Sequence, residues 1–155
     1  MQFRSTSRDS KRQNPGKIFV TGDEKGRVSG IALQRRLEEA CRSLVYVSET
    51  DNEIVPVYEN GCGSIEEFVA QEARDEPIES GSVGDFFRKL IEFREWHTES
   101  DRERVRRFRK VQRMITENLS DAKLFRIGRV RLEILVLGHD AEGNIAGIRT
   151  RAVET

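Results

Sequence analysis

Apolar positions along the chain switch between two periods. From Ser29 to Cys41, Ile31, Leu33, Leu37, Ala40 and Cys41 recur at helical spacing. Cys41 on such a stripe reads first as a small core residue and only second as a reactive thiol. Leu44-Val45-Tyr46-Val47 reads as a strand, Ser48 to Asn52 as polar turn chemistry, and Ile54, Val55, Val57 and Tyr58 as a second strand. The short connection predicts an antiparallel hairpin between the two. Pro56 offers no amide hydrogen to a ladder, which places its strand at an edge or a bulge.

After Gly61-Cys62-Gly63, Ser64-Ile65-Glu66-Glu67 matches a capping box, in which Ser and Glu satisfy each other's free backbone donors. The helix it opens turns Ile65, Phe68, Val69 and Ala73 inward. Residues 74–81 read as loop or short strand. Ser82 opens a further helix with Phe86, Phe87, Leu90 and Ile91, ending near residues 94–97. The longest helix is predicted over 99–118, with Val105, Phe108, Val111, Ile115 and Leu119 as its stripe and acidic residues in its first turns. Leu124–Ile127, Val130–Leu137 and Ile145 to about Val153 read as strands of an antiparallel meander, broken at Gly128-Arg129 and at Ala141–Asn144. Amphipathic helices on a mostly antiparallel sheet make the fold class α+β.

The chain has 155 residues, the size of one ordinary domain. Its 27 Lys+Arg balance its 27 Asp+Glu, whereas a protein built to coat nucleic acid is normally strongly basic. Residues 1–17 hold Arg4, Arg8, Lys11, Arg12 and Lys17 against Asp9 alone, so we expect a flexible basic arm followed by a single domain over 18–155, with Ile18–Val20 as a short strand or as packing for the arm. The arm is either a plain solvated tail or, less in keeping with the pattern, a basic segment for an acidic partner. No apolar run approaches a membrane span, and no signal-peptide core opens the chain. Two cysteines build neither a disulfide framework nor a multi-cysteine zinc site, and we expect a reducing compartment, the cytoplasm.

Catalytic signatures are sparse. There is no phosphate-binding loop, nucleophile elbow or paired-histidine zinc helix, and His97 and His139 stand at element ends without motifs around them. Gly61-Cys62-Gly63 before a helix offers backbone donors to an anion, but ordinary turn formation explains the same residues. The long helix carries Arg102, Arg104, Arg106, Arg107, Arg109, Lys110 and Arg113. One reading is a nucleic-acid surface. The other, which we favour, is a solvated face of acid–base pairs such as Glu103 with Arg107 and Arg106 with neighbouring carboxylates, because the arginines point several ways and no aromatic ladder interleaves them.

Residues 124–155, LFRIGRVRLEILVLGHDAEGNIAGIRTRAVET, resemble the nuclease A inhibitor family, most distinctively in the closing AGIRTRAVET. The similarity reaches upstream through the helix at 105–119, Glu95-Trp96 and Asp85-Phe86-Phe87 to Val47-Ser48-Glu49, and covers about residues 30–155. The resemblance implies a three-layer α/β/α sandwich that binds and blocks a metal-dependent, sugar-nonspecific nuclease and is not itself an enzyme. The implied partner contacts fall on Glu49, Glu95, Trp96 and Thr155, with Glu95 standing where the family motif has aspartate. It also implies that Thr155 is directed at the catalytic magnesium of the nuclease, the protein having no cofactor of its own. The chemistry of the residues suits those roles. Magnesium prefers hard oxygen ligands, which a threonine hydroxyl and carboxylate supply. Trp96, the sole tryptophan, is either a cover for the core edge or an anchor of the type enriched at interface hot spots. Glu49 and Glu154 would add negative charge suited to a cleft evolved for phosphate. The competing functions are a nucleic-acid-associated or regulatory module on the same fold and, more remotely, a hydrolase in which histidines and carboxylates converge.

Overall fold

The computed structural model describes residues 28–60 and 63–154. The N-terminal arm, Ile18–Val20, Cys62 and Thr155 lie outside the described residues. The elements run α1 (Gly30–Cys41), β1 (Val45–Val47), β2 (Asp51–Glu53), β3 (Val55–Glu59), α2 (Ile65–Ala73), β4 (Ile78–Gly81), α3 (Val83–Leu90), α4 (Glu99–Asn118), β5 (Ser120–Gly128), β6 (Arg131–His139) and β7 (Ile145–Val153). This is an α+β fold in which every strand pair is antiparallel.

β5, β6 and β7 form the expected meander at the centre of a five-stranded sheet of order β3-β7-β6-β5-β4. Period-two alternation along its strands feeds two cores. Leu132, Ile134 and Val136 of β6 join Ala146, Ile148 and Ala152 of β7 under α1, α3 and α4, where Phe87 and Phe108 are fully buried. Leu135 and Leu137 join Phe125, Ile127 and Ile145 under α2, which contributes Ile65, Val69 and Ala73. β6 is therefore apolar along nearly its whole length because both its faces are covered.

The helices follow their local signals. Ser64 Oγ accepts from Glu67 N at 3.0 Å and Ser82 Oγ from Asp85 N at 3.2 Å. The reciprocal capping box is complete at α4, where Thr98 Oγ1 accepts from Asp101 N at 3.1 Å and Asp101 Oδ2 accepts from Thr98 N at 2.9 Å. The stripe Val105, Phe108, Val111, Ile115 and Leu119 is buried throughout. Cys41 is a core residue, and burial pushes its thiol up to about 12, out of reach of ordinary thiolate chemistry.

Several local expectations change. β1 pairs not with the strand at 54–58 but with β2, Val47 opposite Asp51, across a tight reversal in which Ser48 N donates to Thr50 O at 2.9 Å. The chain can turn back within three polar residues, so the hairpin closes early. Ile54 then pivots into the core, its amide bonded to Leu44 O at 3.0 Å, and frees β3 to add to β7. There Pro56 sits on the sheet's edge strand, as its missing donor requires. Ile31 is 67% exposed, because Leu33 and Leu37 complete the buried face of α1 without it. α3 stops at Leu90, and Val130 lies in the β5–β6 turn rather than in β6, whereas 78–81 takes the short-strand reading, as an edge strand.

Two glycines make the meander possible. A Cβ at Gly128, whose φ is +113°, would stand 2.3 Å from Arg131 O, and one at Gly147 would stand 1.8 Å from Val136 O. Backbone cannot yield that distance without breaking the β6–β7 ladder. Gly147→Ala is therefore expected to destabilise the protein by about 3 kcal/mol, at the upper end for overpacking, and to lower Tm by about 10 °C in a calorimetric scan.

Candidate functional site

The site is best approached from the end of β7. Arg131 pairs with Val153, and Glu154 N donates to Val130 O at 2.9 Å, so this strand finishes beside the β5–β6 turn. The β1–β2 loop reaches the same place, with Val153 N donating to Ser48 Oγ at 3.2 Å. Glu49, the next residue, is exposed on that loop. Glu154 Oε2 lies 3.0 Å from Arg126 Nη1. Its charge is thus shared with a guanidinium, and the expected acidic pair of Glu49 and Glu154 is partly neutralised. Arg126 also faces Tyr46, whose phenol is held above its ordinary pKa chiefly by burial, with Arg126 opposing and Glu154 reinforcing the shift.

α4 starts at this end too. Arg107, two turns into α4, donates from Nη2 to Ala40 O at 3.0 Å and also to Arg42 O, capping the carbonyls that α1 leaves unsatisfied at its C-terminus. The start of α4 and the start of β1 then line one shallow cleft of about 450 Å³ between Ser43–Val45 and Glu99–Arg104. Glu95 and Trp96 stand on the loop that enters α4, both exposed, Trp96 to 75%. Trp96 is thus outside the core, not a cover for its edge. The loop is braced nonetheless. His97 Nδ1 accepts from Arg94 N at 3.1 Å, and its ring meets Trp96 edge-on with centroids 4.6 Å apart. Arg109 donates to Ile91 O at 3.1 Å and lies 4.6 Å from the centre of the Phe93 ring.

The structure therefore brings Glu49 beside the end of β7 and sets Glu95 and Trp96 on a separate loop at that same end. Thr155 lies outside the described residues, one position beyond Glu154. No local pattern marks Ser48, Arg126 or the Val130 carbonyl as supports, since each acts through a partner more than twenty residues away. Val47 and Val130, 52% and 49% exposed, are apolar side chains flanking the β7 end. Apolar residues next to turns were the one available signal for them.

Residues 31–155 match the nuclease A inhibitor-like protein family. The chain belongs to that family. No curated protein gives a significant match. The resemblance seen in the closing segment thus extends over nearly all the described residues.

Other candidate chemistry is dispersed. His139 is at the opposite end of the sheet, its Nε2 3.4 Å from Gly63 O, so the two histidines do not converge. Among the described residues no group of His, Cys, Asp and Glu is arranged to hold a metal. The arginines of α4 are largely engaged within the protein. Arg104 pairs with Asp101, and Arg106 with Glu99 and Glu103. Glu103 takes Arg106 rather than the expected Arg107, because Arg107 is committed to the end of α1.

The loop bearing Trp96 depends on the α4 cap, and that cap titrates. Bonds from the Thr98 amide and then its hydroxyl hold the Asp101 carboxyl below its ordinary value. A carboxylate whose pKa is depressed by folding stabilises the fold above its unfolded pKa, about 4, and loses that contribution as pH falls through the lower folded value. Asp101→Asn should leave a protein slightly less stable at neutral pH but less sensitive to acid below about pH 4, as read by thermal midpoints across a pH series.

Proposed function

We propose that this protein binds a metal-dependent, sugar-nonspecific nuclease and blocks it with the end of the molecule that carries Glu49, Glu95, Trp96 and Thr155. Family membership supports a nuclease-inhibitor role. The observation that carries the choice of surface is the Val153–Ser48 hydrogen bond, which sets the loop of Glu49 beside the strand leading to Thr155. The helices on the two faces of the sheet fit the three-layer α/β/α arrangement expected of the family.

In this reading Trp96 is an anchor. A large, exposed aromatic ring on a braced loop loses little conformational freedom on binding, and such residues carry much of the energy of an interface. Glu49 and Glu95 supply negative charge toward a cleft shaped for phosphate and steer the encounter. Thr155 presents oxygen to the nuclease magnesium, which favours such ligands at about 2.0–2.1 Å. The metal belongs to the partner, and the inhibitor needs neither cofactor nor catalysis of its own. A nucleic-acid-binding role has less support, because most of the α4 arginines have intramolecular partners. None of the described helices is long and apolar enough to cross a membrane, and we place the encounter in the cytoplasm.

The direct test is inhibition of a magnesium-dependent nonspecific nuclease, with complex formation measured at several ionic strengths; no binding to any such nuclease overturns the reading. Trp96→Ala should weaken inhibition by roughly 100-fold, an effect of hot-spot size, while the unfolding free energy from urea titration stays within about 0.5 kcal/mol of wild type. Deleting Thr155 moves the terminal carboxylate back by about 3.3 Å, whereas a metal ligand tolerates only about 0.2 Å. Inhibition should therefore collapse with the fold intact. A C-terminal tag should do the same harm and an N-terminal tag none. Removal of residues 1–17 should leave both Tm and inhibition nearly unchanged, since we assign the folded domain to 18–155.

A further inference from the structure

Residues 104–116 of α4 hold Arg104, Arg106, Arg107, Arg109, Lys110 and Arg113 and no acidic residue. Arg102 with Arg106, Arg106 with Lys110 and Arg109 with Arg113 stand four residues apart, and like charges at that spacing destabilise a helix. Arg102 also lies in the opening turns of α4, where the helix dipole disfavours a cation. The fold relieves only part of this cost. Arg104 and Arg106 find carboxylates, and Arg107 caps the end of α1. Arg109 donates to a backbone carbonyl instead. Among the described residues Arg102, Arg109, Lys110 and Arg113 have no carboxylate within ion-pair distance.

Arg102, Arg109 and Arg113 are exposed and share one flank of α4, because steps of seven and four residues return to nearly the same side of a helix. That flank faces the loop over residues 91–98. Arg109 donates to Ile91 O at 3.1 Å, and its guanidinium lies over the Phe93 ring, which is still 44% exposed. Arg109 is thus a fixed cation beside an apolar ring, its charge offset by no carboxylate. The remaining charges of α3 are Lys89 and the pair Arg88 with Asp85. Those of the loop are Glu95 and the pair Arg94 with Glu92, and at the start of α4 Glu99 and Glu103 are both held by Arg106. The flank is a cationic strip with one ring at its middle.

We propose that this flank of α4 docks an acidic amphipathic helix of a partner protein, with carboxylates on Arg102, Arg109 and Arg113 and an apolar side chain on Phe93. Along α4 the first two arginines stand about 10 Å apart and the last two about 6 Å, from the rise of a helix. A second helix presents isolated carboxylates at the same separations, two turns and one turn apart, with apolar residues between them on one face. A nucleic-acid strand fits less well. It carries charge at every phosphate, so it would also run past Glu95, and it would find one ring beside the arginines rather than a stacking ladder. Engaging Arg109 costs little order, because its guanidinium is already held. The inference goes beyond the inhibitor reading and does not rest on it, since binding is measured on the free protein with no nuclease present.

The experiment titrates the full chain into three labelled probes and follows fluorescence anisotropy at low and moderate salt. The first is a synthetic helical peptide whose glutamates repeat the seven- and four-residue spacing, with leucines on the same face. The second has the same composition with its glutamates spread around the helix, and the third is an oligodeoxythymidylate. The first should bind about tenfold more tightly than the second and weaken as salt rises. Arg102→Gln with Arg113→Gln, and separately Phe93→Ala, should each weaken it about tenfold while Tm moves by no more than about 3 °C. Arg35→Gln with Arg36→Gln makes the same change of net charge on α1 and should leave binding unchanged. Arg102→Glu should weaken binding further yet raise Tm by about 1 °C, because an acid suits the start of α4, and a merely structural arginine would not part the two readouts. Equal binding of both peptides, preference for the oligonucleotide, loss of binding on removal of residues 1–17, or no binding of any probe overturns the proposal.

Discussion

Asp140 is a carboxylate only 4% exposed, in the turn between the two central strands. A buried charge is tolerated only when its oxygens are fully satisfied. Oδ1 accepts from the amides of Glu142 and Asn144, both at 2.9 Å, which closes the β6–β7 turn. Oδ2 accepts from Gly30 N at 3.1 Å, from Asn144 Nδ2 at 3.3 Å and from the Tyr58 hydroxyl at 3.4 Å. One side chain thus joins the start of α1, edge strand β3 and the central hairpin. It also places negative charge at the N-terminus of α1, a helix whose first turn has no acid of its own. Tyr58 records the arrangement: burial first, then Asp140 and Glu142, push its phenol up to about 12. Asn118 does a related task at the end of α4, accepting from Val28 N at 2.7 Å and donating to Met114 O at 2.8 Å.

One end of the molecule is fixed by buried polar bonds, and the opposite end is the one to which we assign partner contact. α1 runs from the Asp140 turn to the Arg107 cap, and α4 returns alongside it. Their length sets the distance between the closed end and the exposed one. The loops at the exposed end are short and braced by single side chains, Arg109 and His97 on one loop and Ser48 on another. Such a surface is preorganised: little must be ordered when a partner arrives.

Periodicity made most of this fold legible. α4 and the meander have long apolar patterns that admit one reading, and Ser64 and Ser82 mark the starts of α2 and α3 chemically. Legibility failed where the deciding contact is remote. Whether β1 takes 51–53 or 54–58 as its partner depends on β7 being available to β3, which no local pattern states. Ile31 fits the helical stripe, yet it is left outside because the layer beneath α1 is already filled. Arg107 could pair locally with Glu103, but the free carbonyls at the end of α1, more than sixty residues earlier, are the better acceptors. For the candidate site, the family resemblance pointed to Glu49, Glu95 and Trp96. That the loop of Glu49 meets the end of β7 required the folded chain.

The two rims of the five-stranded sheet carry a last consequence. Open rims invite a second chain to continue the ladder, which is how fibres and accidental dimers begin. Here one rim is β3, which holds Pro56, and the other is β4, only Ile78–Gly81, with Glu79 among its exposed positions. A proline interrupts any template along the first, and the second is too short and too polar to recruit a neighbour. Neither rim therefore offers a long, unbroken template to a neighbouring chain.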